Sequence, residues 1–151
     1  MAAIAEEHDM PYQFEQASSP QQIAERQFAS VSLEAGPTTG TLLQFTPFTS
    51  CIGVAVNNNG ILIGVHLSLF GADGTPFSAE SVDEVMRLTG KDQQPGAPCI
   101  VFGQTAYWEN SLPAAYQLLL QQLQPNEVYA LADLTPGIGV DNLGRPILTE
   151  Y

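Results

Sequence analysis

Two runs of aliphatic residues separated by a short polar segment predict an antiparallel β-hairpin near the middle of the chain. The first run extends over residues 51–56 and the second over residues 61–69, with Asn57-Asn58-Asn59-Gly60 between them. Asparagine and glycine tolerate the positive φ angles of tight hairpin turns. Alternate positions carry large aliphatic side chains, which predicts one face buried in the core: Ile52, Val54, Val56, Ile61, Ile63, Val65, Leu67 and Leu69.

The opposite face of the hairpin carries a cysteine and a histidine, and two registers are compatible with the turn. A turn centred between the second and third asparagines puts Cys51 directly opposite His66. With Asn59-Gly60 as the turn, Cys51 faces Ser68 and His66 becomes its diagonal neighbour. Both registers keep the thiol and the imidazole on one face, because side chains alternate along a strand. Directly opposite Cβ atoms lie roughly 4.5–5.5 Å apart, close enough for a thiol–imidazole contact.

The same face has small residues beside the cysteine and the histidine. Gly53 and Gly64 lie inside the two predicted strands, and glycine at such a position often marks close approach of a ligand or of another backbone. We therefore expect open space on this face. The substrate-contact candidates around it are Thr49, Gly53, Gly64 and Ser68.

The remaining pattern predicts an α+β protein. The predicted order is a helix over residues 19–29, a strand over 41–46, the hairpin, a helix from 78 or 81 to 88, a strand over 99–103, a helix over 111–123, a strand over 128–132 and a closing hairpin over 138–149. This order predicts a mixed β-sandwich or sheet with flanking helices and a central antiparallel hairpin. Residues 1–18 are polar and aperiodic, which predicts a flexible N-terminal lead before a single catalytic domain over residues 19–151.

The charge of the chain limits the classes of molecule that it is expected to bind. Sixteen acidic residues against four basic ones give a net charge of −12, which argues against nucleic acids and anionic membranes. A basic patch on a partner protein fits this charge, and so does a purely solubilising role. No run approaches the ~20 apolar residues of a membrane span, and the acidic N-terminus does not resemble a cleavable signal. We expect a protein that is cytoplasmic or secreted by a signal-independent route.

The cysteine and the histidine together supply the groups of a nucleophilic hydrolase. A thiol is a weak nucleophile until an adjacent base takes its proton. The backbone N–H groups of Ser50 and Cys51 are candidates for the oxyanion site. Candidates for the group that orients the histidine are Thr46, Thr49, Ser50 or a backbone carbonyl. The alternative interpretation is an inert buried thiol and a structural histidine.

Two further features of the sequence bear on binding. Tyr107 and Trp108 follow a predicted strand in a polar stretch, and they are candidates either for substrate contact or for an aromatic pair that caps the core. His8 stands within an acidic segment over residues 6–9, for which a solvated charged tail is the simpler interpretation. We predict no metal site and no cofactor.

The segments Ser50-Cys51-Ile52-Gly53-Val54 and Gly64-Val65-His66-Leu67 resemble the catalytic hairpin of the glutamine deamidases that include the chemoreceptor deamidase CheD and the catalytic domains of cytotoxic necrotizing factors. The resemblance implies that Cys51 is the nucleophile and His66 its base, on a mixed β-sandwich with flanking helices. CheD-like members add an upstream threonine, whose nearest counterpart is Thr46, one position off. Toxin-type members orient the histidine with a main-chain carbonyl instead.

By this resemblance the substrate is a glutamine of a protein, converted to glutamate with release of ammonia. Toxin-type relatives act on the switch glutamine of small GTPases, which orients the attacking water in GTP hydrolysis. The acidity would suit a secreted bacterial effector or toxin. The alternatives are another Cys–His hydrolase, a transglutaminase, or a non-catalytic module whose acidic surface binds a basic partner.

Overall fold

The computed structural model describes residues 12–34, 39–132 and 134–151. Three α-helices occur in these parts of the chain: α1 (Ala79–Thr89), α2 (Thr105–Ser111) and α3 (Pro113–Leu123). The same parts contain nine strands: β1 (Glu15–Gln16), β2 (Gln27–Ser32), β3 (Leu43–Gln44), β4 (Ile52–Asn58), β5 (Ile61–Leu67), β6 (Cys99–Gly103), β7 (Glu127–Ala130), β8 (Gly137–Val140) and β9 (Pro146–Glu150).

The predicted hairpin, β4 and β5, occupies the centre of a six-stranded mixed sheet with the order β1-β2-β5-β4-β6-β7. Asn58 lies opposite Ile61, so Asn59 and Gly60 make the turn, at φ angles of 53° and 90°. This is the second of the two predicted registers. The register that places the cysteine directly opposite the histidine is wrong, because the two-residue turn takes its positive φ angles at Asn59 and Gly60 and shifts the pairing.

The aliphatic face of the hairpin is buried under helices, as its pattern predicts. Its central residues are 0% exposed and share one core with side chains of α1 and α3: Ile52, Val54, Val56, Val65 and Leu67. Helix α1 begins after the N-cap Ser78 and ends at Gly90, which adopts a left-handed φ of 76°. Its buried residues include Val82, Val85 and Met86. Both ends of α1 agree closely with the sequence prediction.

The opposite face of the hairpin packs against a second core. A small antiparallel sheet, in the order β3-β8-β9, contributes to this core together with three phenylalanines. The rings of Phe45, Phe48 and Phe102 are 0–1% exposed. The larger sheet therefore lies between helices on one face and the small sheet on the other. This layered mixture of sheets and helices confirms the predicted α+β class.

The helix predicted over residues 19–29 is wrong. Residues 19–26 form turns and a single bridge, and β2 (Gln27–Ser32) pairs antiparallel with β5. Ser19 does cap locally, since its Oγ accepts the N–H of Gln21 at 3.0 Å. A short isolated helix is only marginally stable, whereas the free edge of β5 offers a complete ladder of hydrogen bonds.

The end of the predicted N-terminal lead is structured. Strand β1 pairs in parallel with β2, and the Tyr12 hydroxyl donates a hydrogen bond to the Ser68 carbonyl oxygen at 2.5 Å. Residues 1–11, including His8, lie outside the described residues. The boundary predicted at residue 19 therefore differs from the structure, which includes residues 12–18 in the domain.

The other elements differ from prediction mainly at their ends. Strand β3 covers two residues of the strand predicted over 41–46, and β7 (Glu127–Ala130) begins and ends earlier than predicted. Helix α2, which carries Tyr107 and Trp108, was not predicted. None of the helices in the described ranges has the length and apolar character needed to cross a membrane.

Candidate functional site

His66 lies inside β5 with 0% exposure. Its Nδ1 is 2.9 Å from the main-chain carbonyl oxygen of Ile23. Because a carbonyl oxygen can only accept, Nδ1 carries the proton and Nε2 carries the lone pair. Nε2 is buried and has no hydrogen-bond partner among the described residues. The imidazole therefore presents an unoccupied basic nitrogen inside the protein.

The carbonyl group that orients His66 is itself held from two sides. The same oxygen accepts the backbone N–H of Thr46 at 3.0 Å, and the N–H of Ile23 donates to the carbonyl oxygen of Gln44 at 2.9 Å. The ring of Phe48 packs beside the imidazole at a centroid distance of 4.6 Å. Burial lowers the pKa of His66, and the hydrogen bond to Ile23 partly opposes this shift.

Cys51 immediately precedes β4 and is 1% exposed. The register places it opposite Ser68 and diagonal to His66, and such diagonal neighbours are roughly 7–8 Å apart. The structure brings the two side chains to one face of the sheet but does not join them by a hydrogen bond. The Cys51 thiol instead donates to Oε2 of Glu25 at 3.7 Å.

The thiol is protonated at neutral pH in this arrangement. Burial, and after it the Glu25 carboxylate, raise the pKa of Cys51 to about 12. Backbone hydrogen bonds from Ser50 and Thr49 act in the opposite direction. These backbone contributions are smaller than the effect of burial, so the thiol stays in its neutral form.

The peptide groups on either side of Cys51 are fixed by hydrogen bonds. The Trp108 Nε1–H donates to the carbonyl oxygen of Ser50 at 3.0 Å, and the N–H of Gln104 donates to the carbonyl oxygen of Cys51 at 2.9 Å. In a planar trans peptide the C=O and the following N–H point in opposite directions. The N–H of Cys51 therefore points away from Trp108.

The segment over residues 23–26 crosses the site and joins its parts. Arg26 has a left-handed φ of 62°, and its N–H donates to the carbonyl oxygen of His66 at 2.8 Å. Its guanidinium donates to Ser68 Oγ at 2.9 Å and forms an ion pair with Glu25 at 3.5 Å. This segment therefore fixes the positions of Ile23 and Glu25 relative to the imidazole and the thiol.

The open space predicted beside the two hairpin glycines is absent from this face. A Cβ added at Gly53 would overlap the Phe102 ring and lie 3.1 Å from Phe48. A Cβ added at Gly64 would lie 2.8 Å from Leu43. Glycine is needed at both positions because core side chains approach the backbone closely. Gly53 and Gly64 are thus packing positions in this structure, so the prediction of open space is wrong, and their role as substrate contacts stays a prediction.

Three other substrate-contact candidates occupy different environments. Trp108 is 0% exposed and belongs to the core beneath α1 and α3, which agrees with the alternative interpretation of an aromatic residue that caps the core. Ser68 is 7% exposed, and its hydroxyl donates to the carbonyl oxygen of Phe70 at 2.6 Å. Tyr107, by contrast, is 53% exposed on α2, where a role in substrate contact stays a prediction.

Thr49 and Thr46 contribute main-chain groups to the site. Thr49 is exposed, and a backbone hydrogen bond from it lowers the pKa of the Cys51 thiol slightly against the effect of burial. The N–H of Thr46 shares the Ile23 carbonyl with His66. The imidazole Nδ1 is therefore oriented by a main-chain carbonyl, one of the candidates for the third group.

A metal centre and a surface cleft are two other kinds of site that the described residues could form. Within the described ranges, no cluster of three or more His, Cys, Asp or Glu side chains could hold a metal ion. A surface cleft of ≈ 600 Å³ lies between residues 12–14 and α1. Its lining includes Tyr12, Phe14, Glu84 and Arg87. Cys51 and His66 do not line this cleft.

Sequence reasoning missed Ile23 and Glu25. Glu25 is 26 positions from Cys51 along the chain, and Ile23 is 43 positions from His66. The local pattern predicted a helix through both residues, which would have directed the Ile23 carbonyl along the helix axis. Recognising β2 as a partner of β5 is the one signal that would have placed them beside the hairpin.

Comparison with known proteins gives one distant relative. No family model matches the chain. The chain is 32% identical over 110 residues to Colossin-A of Dictyostelium discoideum, an alignment that covers 65% of this chain and 1% of that protein. The chain thus spans about 1% of the length of the relative it matches.

Proposed function

We propose that this chain is a thiol-dependent protein glutamine deamidase, with Cys51 as the nucleophile and His66 as the general acid and base. One observation carries the proposal. The Nδ1–H of His66 is bound to the Ile23 carbonyl, and the buried Nε2 has no partner in the described part of the chain. A purely structural histidine usually satisfies both nitrogens, whereas a general base needs one of them free.

The reaction follows from these two side chains. Nε2 of His66 takes the thiol proton as Sγ of Cys51 attacks the carboxamide carbon of the substrate. The same proton passes to the departing nitrogen, which leaves as ammonia, and a thioester remains on Cys51. A water molecule then gives a proton to Nε2 and attacks the thioester carbon. The thioester breaks, glutamate leaves, and Sγ recovers its proton.

The oxyanion formed in both steps requires hydrogen-bond donors. The Ser50 carbonyl oxygen accepts the Trp108 Nε1–H, so the Cys51 N–H of the same peptide points away from Trp108 and is the donor that we assign to the oxyanion, with the Ser50 N–H as the second candidate. The peptide that carries the Cys51 N–H is fixed before substrate arrives, which is the condition under which such a donor stabilises a transition state most effectively. Removing one oxyanion donor typically slows an acyl transfer by about 10²–10³.

The proposal is tested on purified protein substrates. A panel of small GTPases that carry a switch glutamine is incubated with the protein, and ammonia release and the glutamine-to-glutamate mass change are followed. Cys51→Ser is expected to abolish both signals while the fold and the unfolding midpoint are retained. Cys99→Ser is the matched control, because Cys99 is also buried but lies in β6 opposite Val56, outside the proposed dyad. Deamidation that persists in Cys51→Ser contradicts the assignment of the nucleophile.

A transferase is distinguished from a hydrolase by its product. Water and amines compete for the same thioester, so an added primary amine would yield an amide with a transglutaminase and glutamate with a deamidase. The ratio of the two products, measured by mass spectrometry at several amine concentrations, assigns the reaction.

A second candidate function, a non-catalytic binding module, is favoured by a different observation. Cys51 is 1% exposed and its pKa is raised to about 12, as expected for an inert core thiol. Under this alternative, Cys51→Ala retains the biological function and His66→Ala acts only through stability. A functional Cys51→Ala protein therefore decides in favour of the binding module.

A further inference from the structure

Glu25 contacts the thiol of Cys51, the group that the proposed reaction uses as its nucleophile. Its Oε2 accepts the Cys51 Sγ–H at 3.7 Å, and its charge also acts on His66. The Glu25 side chain is 50% exposed, whereas Cys51 and His66 are 1% and 0% exposed. The partly exposed carboxylate of Glu25 therefore contacts a site in which Cys51 and His66 are buried.

The thiol has two possible acceptors in this arrangement. One is the Glu25 carboxylate, to which it is bound, and the other, under the proposed function, is Nε2 of His66, which lies on the same face without a partner among the described residues. A thiol is a weak donor, so the contact with Glu25 is readily exchanged for a stronger one. A carboxylate beside a thiol also disfavours the thiolate, because the two negative charges repel. Glu25 therefore opposes the chemistry for as long as it remains in place.

We propose that Glu25 keeps the site closed in the resting protein and that a cationic group of the substrate opens it by drawing the Glu25 carboxylate away from Cys51. Glu25 is then a specificity-determining residue that selects a target glutamine with a lysine or arginine beside it. The inference rests on the proposed function, since it assigns the substrate preference of the same site.

The local charges support a cation as the opening group. Arg26 pairs with the other oxygen of Glu25, Oε1, at 3.5 Å, but its guanidinium is also bound to Ser68 Oγ and to the Phe70 carbonyl oxygen. Oε2 faces the neutral thiol. An ion pair with an incoming cation is a stronger contact than an S–H···O hydrogen bond. The net charge of −12 favours the approach of a basic segment.

The test uses small thiol reagents of different charge and needs no protein substrate. In the Cys99→Ser background, Cys51 reacts with aminoethyl, methyl or sulfonatoethyl methanethiosulfonate, which are cationic, neutral and anionic respectively. In each case the sulfur of Cys51 forms a mixed disulfide, methanesulfinate leaves and the thiol proton passes to the buffer. The second-order rate constants are compared with those of Glu25→Gln and Glu25→Ala.

The cationic reagent is expected to react about tenfold or more faster than the neutral one when Glu25 is present, as expected for one nearby charge of opposite sign. Both Glu25 variants are expected to lose most of this preference and to react several-fold faster with the neutral reagent. Glu127→Gln is the matched control, because Glu127 is exposed on the edge strand β7 and its removal changes the net charge equally. Rates and preference in the Glu25 variants equal to those of Glu127→Gln would overturn the inference.

Adding His66→Ala separates this inference from the proposed function. In one outcome, the Glu25 variants lose the charge preference and His66→Ala leaves all rates unchanged. Glu25 then controls access to the thiol but His66 is not the base, so only the deamidase proposal fails. If His66→Ala slows the reaction and the Glu25 variants behave as the control, the dyad stands and the inference about Glu25 fails alone.

Discussion

Nδ1 of His66 and the main-chain oxygen of Ile23 are joined by a 2.9 Å hydrogen bond that spans 43 positions of the chain. This bond fixes the tautomer and the plane of the imidazole without any acidic side chain. It depends on the turn at residues 19–26 and on the pairing of β2 with β5. The same segment carries Glu25, so the groups proposed to orient the base and to shield the nucleophile are built from one stretch of backbone.

Replacing Thr46 by alanine tests the orientation of the histidine by a main-chain carbonyl. The imidazole Nδ1 is bound to Ile23, and Thr46 contributes its backbone N–H to the same oxygen, which alanine retains. We expect Thr46→Ala to change the reaction rate of Cys51 by no more than about twofold, the scale of a substitution that removes no key contact. Alkylation kinetics of the two proteins, with His66→Gln for comparison, measure this. A tenfold loss would assign the threonine hydroxyl a direct role.

Trp108 is expected to position the Ser50 peptide through its indole nitrogen. Trp108→Phe keeps an aromatic ring but removes the 3.0 Å hydrogen bond to the Ser50 carbonyl oxygen. The expected cost is about 1–3 kcal/mol in the free energy of unfolding, because the carbonyl group loses its partner. Urea unfolding measures this cost. Tyr107→Phe on the exposed face of α2 is the neighbouring control and should be nearly neutral; an equal effect of both variants would contradict the positioning role.

Gly53 is expected to tolerate no side chain. A Cβ at this position overlaps the ring of Phe102, so Gly53→Ala should destabilise the protein by about 1–3 kcal/mol, the usual range for overpacking. Gly96→Ala is the matched control, since nothing lies within 4 Å of its added Cβ, and it should be neutral or stabilise by about 0.4–1 kcal/mol. Urea midpoints of the two variants measure the difference. Equal stability would mean that the face beside Gly53 is open after all.

The pH dependence of stability follows from the buried titratable groups. Burial lowers the pKa of His66, so its neutral form is favoured in the folded state, and stability falls as the pH drops through the unfolded value of about 6.5. Burial raises the pKa of Cys51 and Cys99 to about 12 from 9.0, so stability falls as the pH rises above about 9. We therefore expect maximal stability near pH 7–8.5.

Free energies of unfolding measured from pH 5 to 10 check both the loss of stability at acid pH and the loss at alkaline pH. His66→Gln should flatten the change between pH 5.5 and 7.5, and Cys51→Ser with Cys99→Ser should flatten the alkaline change. If His66→Gln leaves the loss of stability at acid pH unaltered, the buried imidazole does not resist protonation.

The sequence predicted those parts of the fold that depend on local periodicity. The alternation of Ile52, Val54 and Val56 identified the buried face of β4, and the caps Ser78 and Gly90 located α1. The sequence is compatible with two hairpin registers, because two asparagines can each supply the first positive φ angle of the turn. The structure chooses Asn59, which moves Cys51 from directly opposite His66 to the diagonal.

The sequence could not predict contacts that depend on distant pairing. The capping signals at Ser19 favoured a helix, so Ile23 and Glu25 were not expected beside the hairpin. Gly53 correctly indicated that something approaches the strand closely, but the sequence could not distinguish a ligand from the ring of Phe102. The same-face placement of Cys51 and His66 followed from the period of two, whereas the contact of Cys51 with Glu25 required the three-dimensional structure.

The reaction rate of Cys51 with iodoacetamide between pH 5 and 10 tests the Cys51–His66 dyad most directly. The measurement compares Glu25→Gln with Glu25→Gln/His66→Ala, both in the Cys99→Ser background, so that the neighbouring carboxylate does not mask the titration. The dyad predicts a reactive fraction that titrates below the ordinary thiol value of about 8.5 and disappears with the imidazole. Superimposable profiles, each following one ordinary or raised thiol titration, would contradict it.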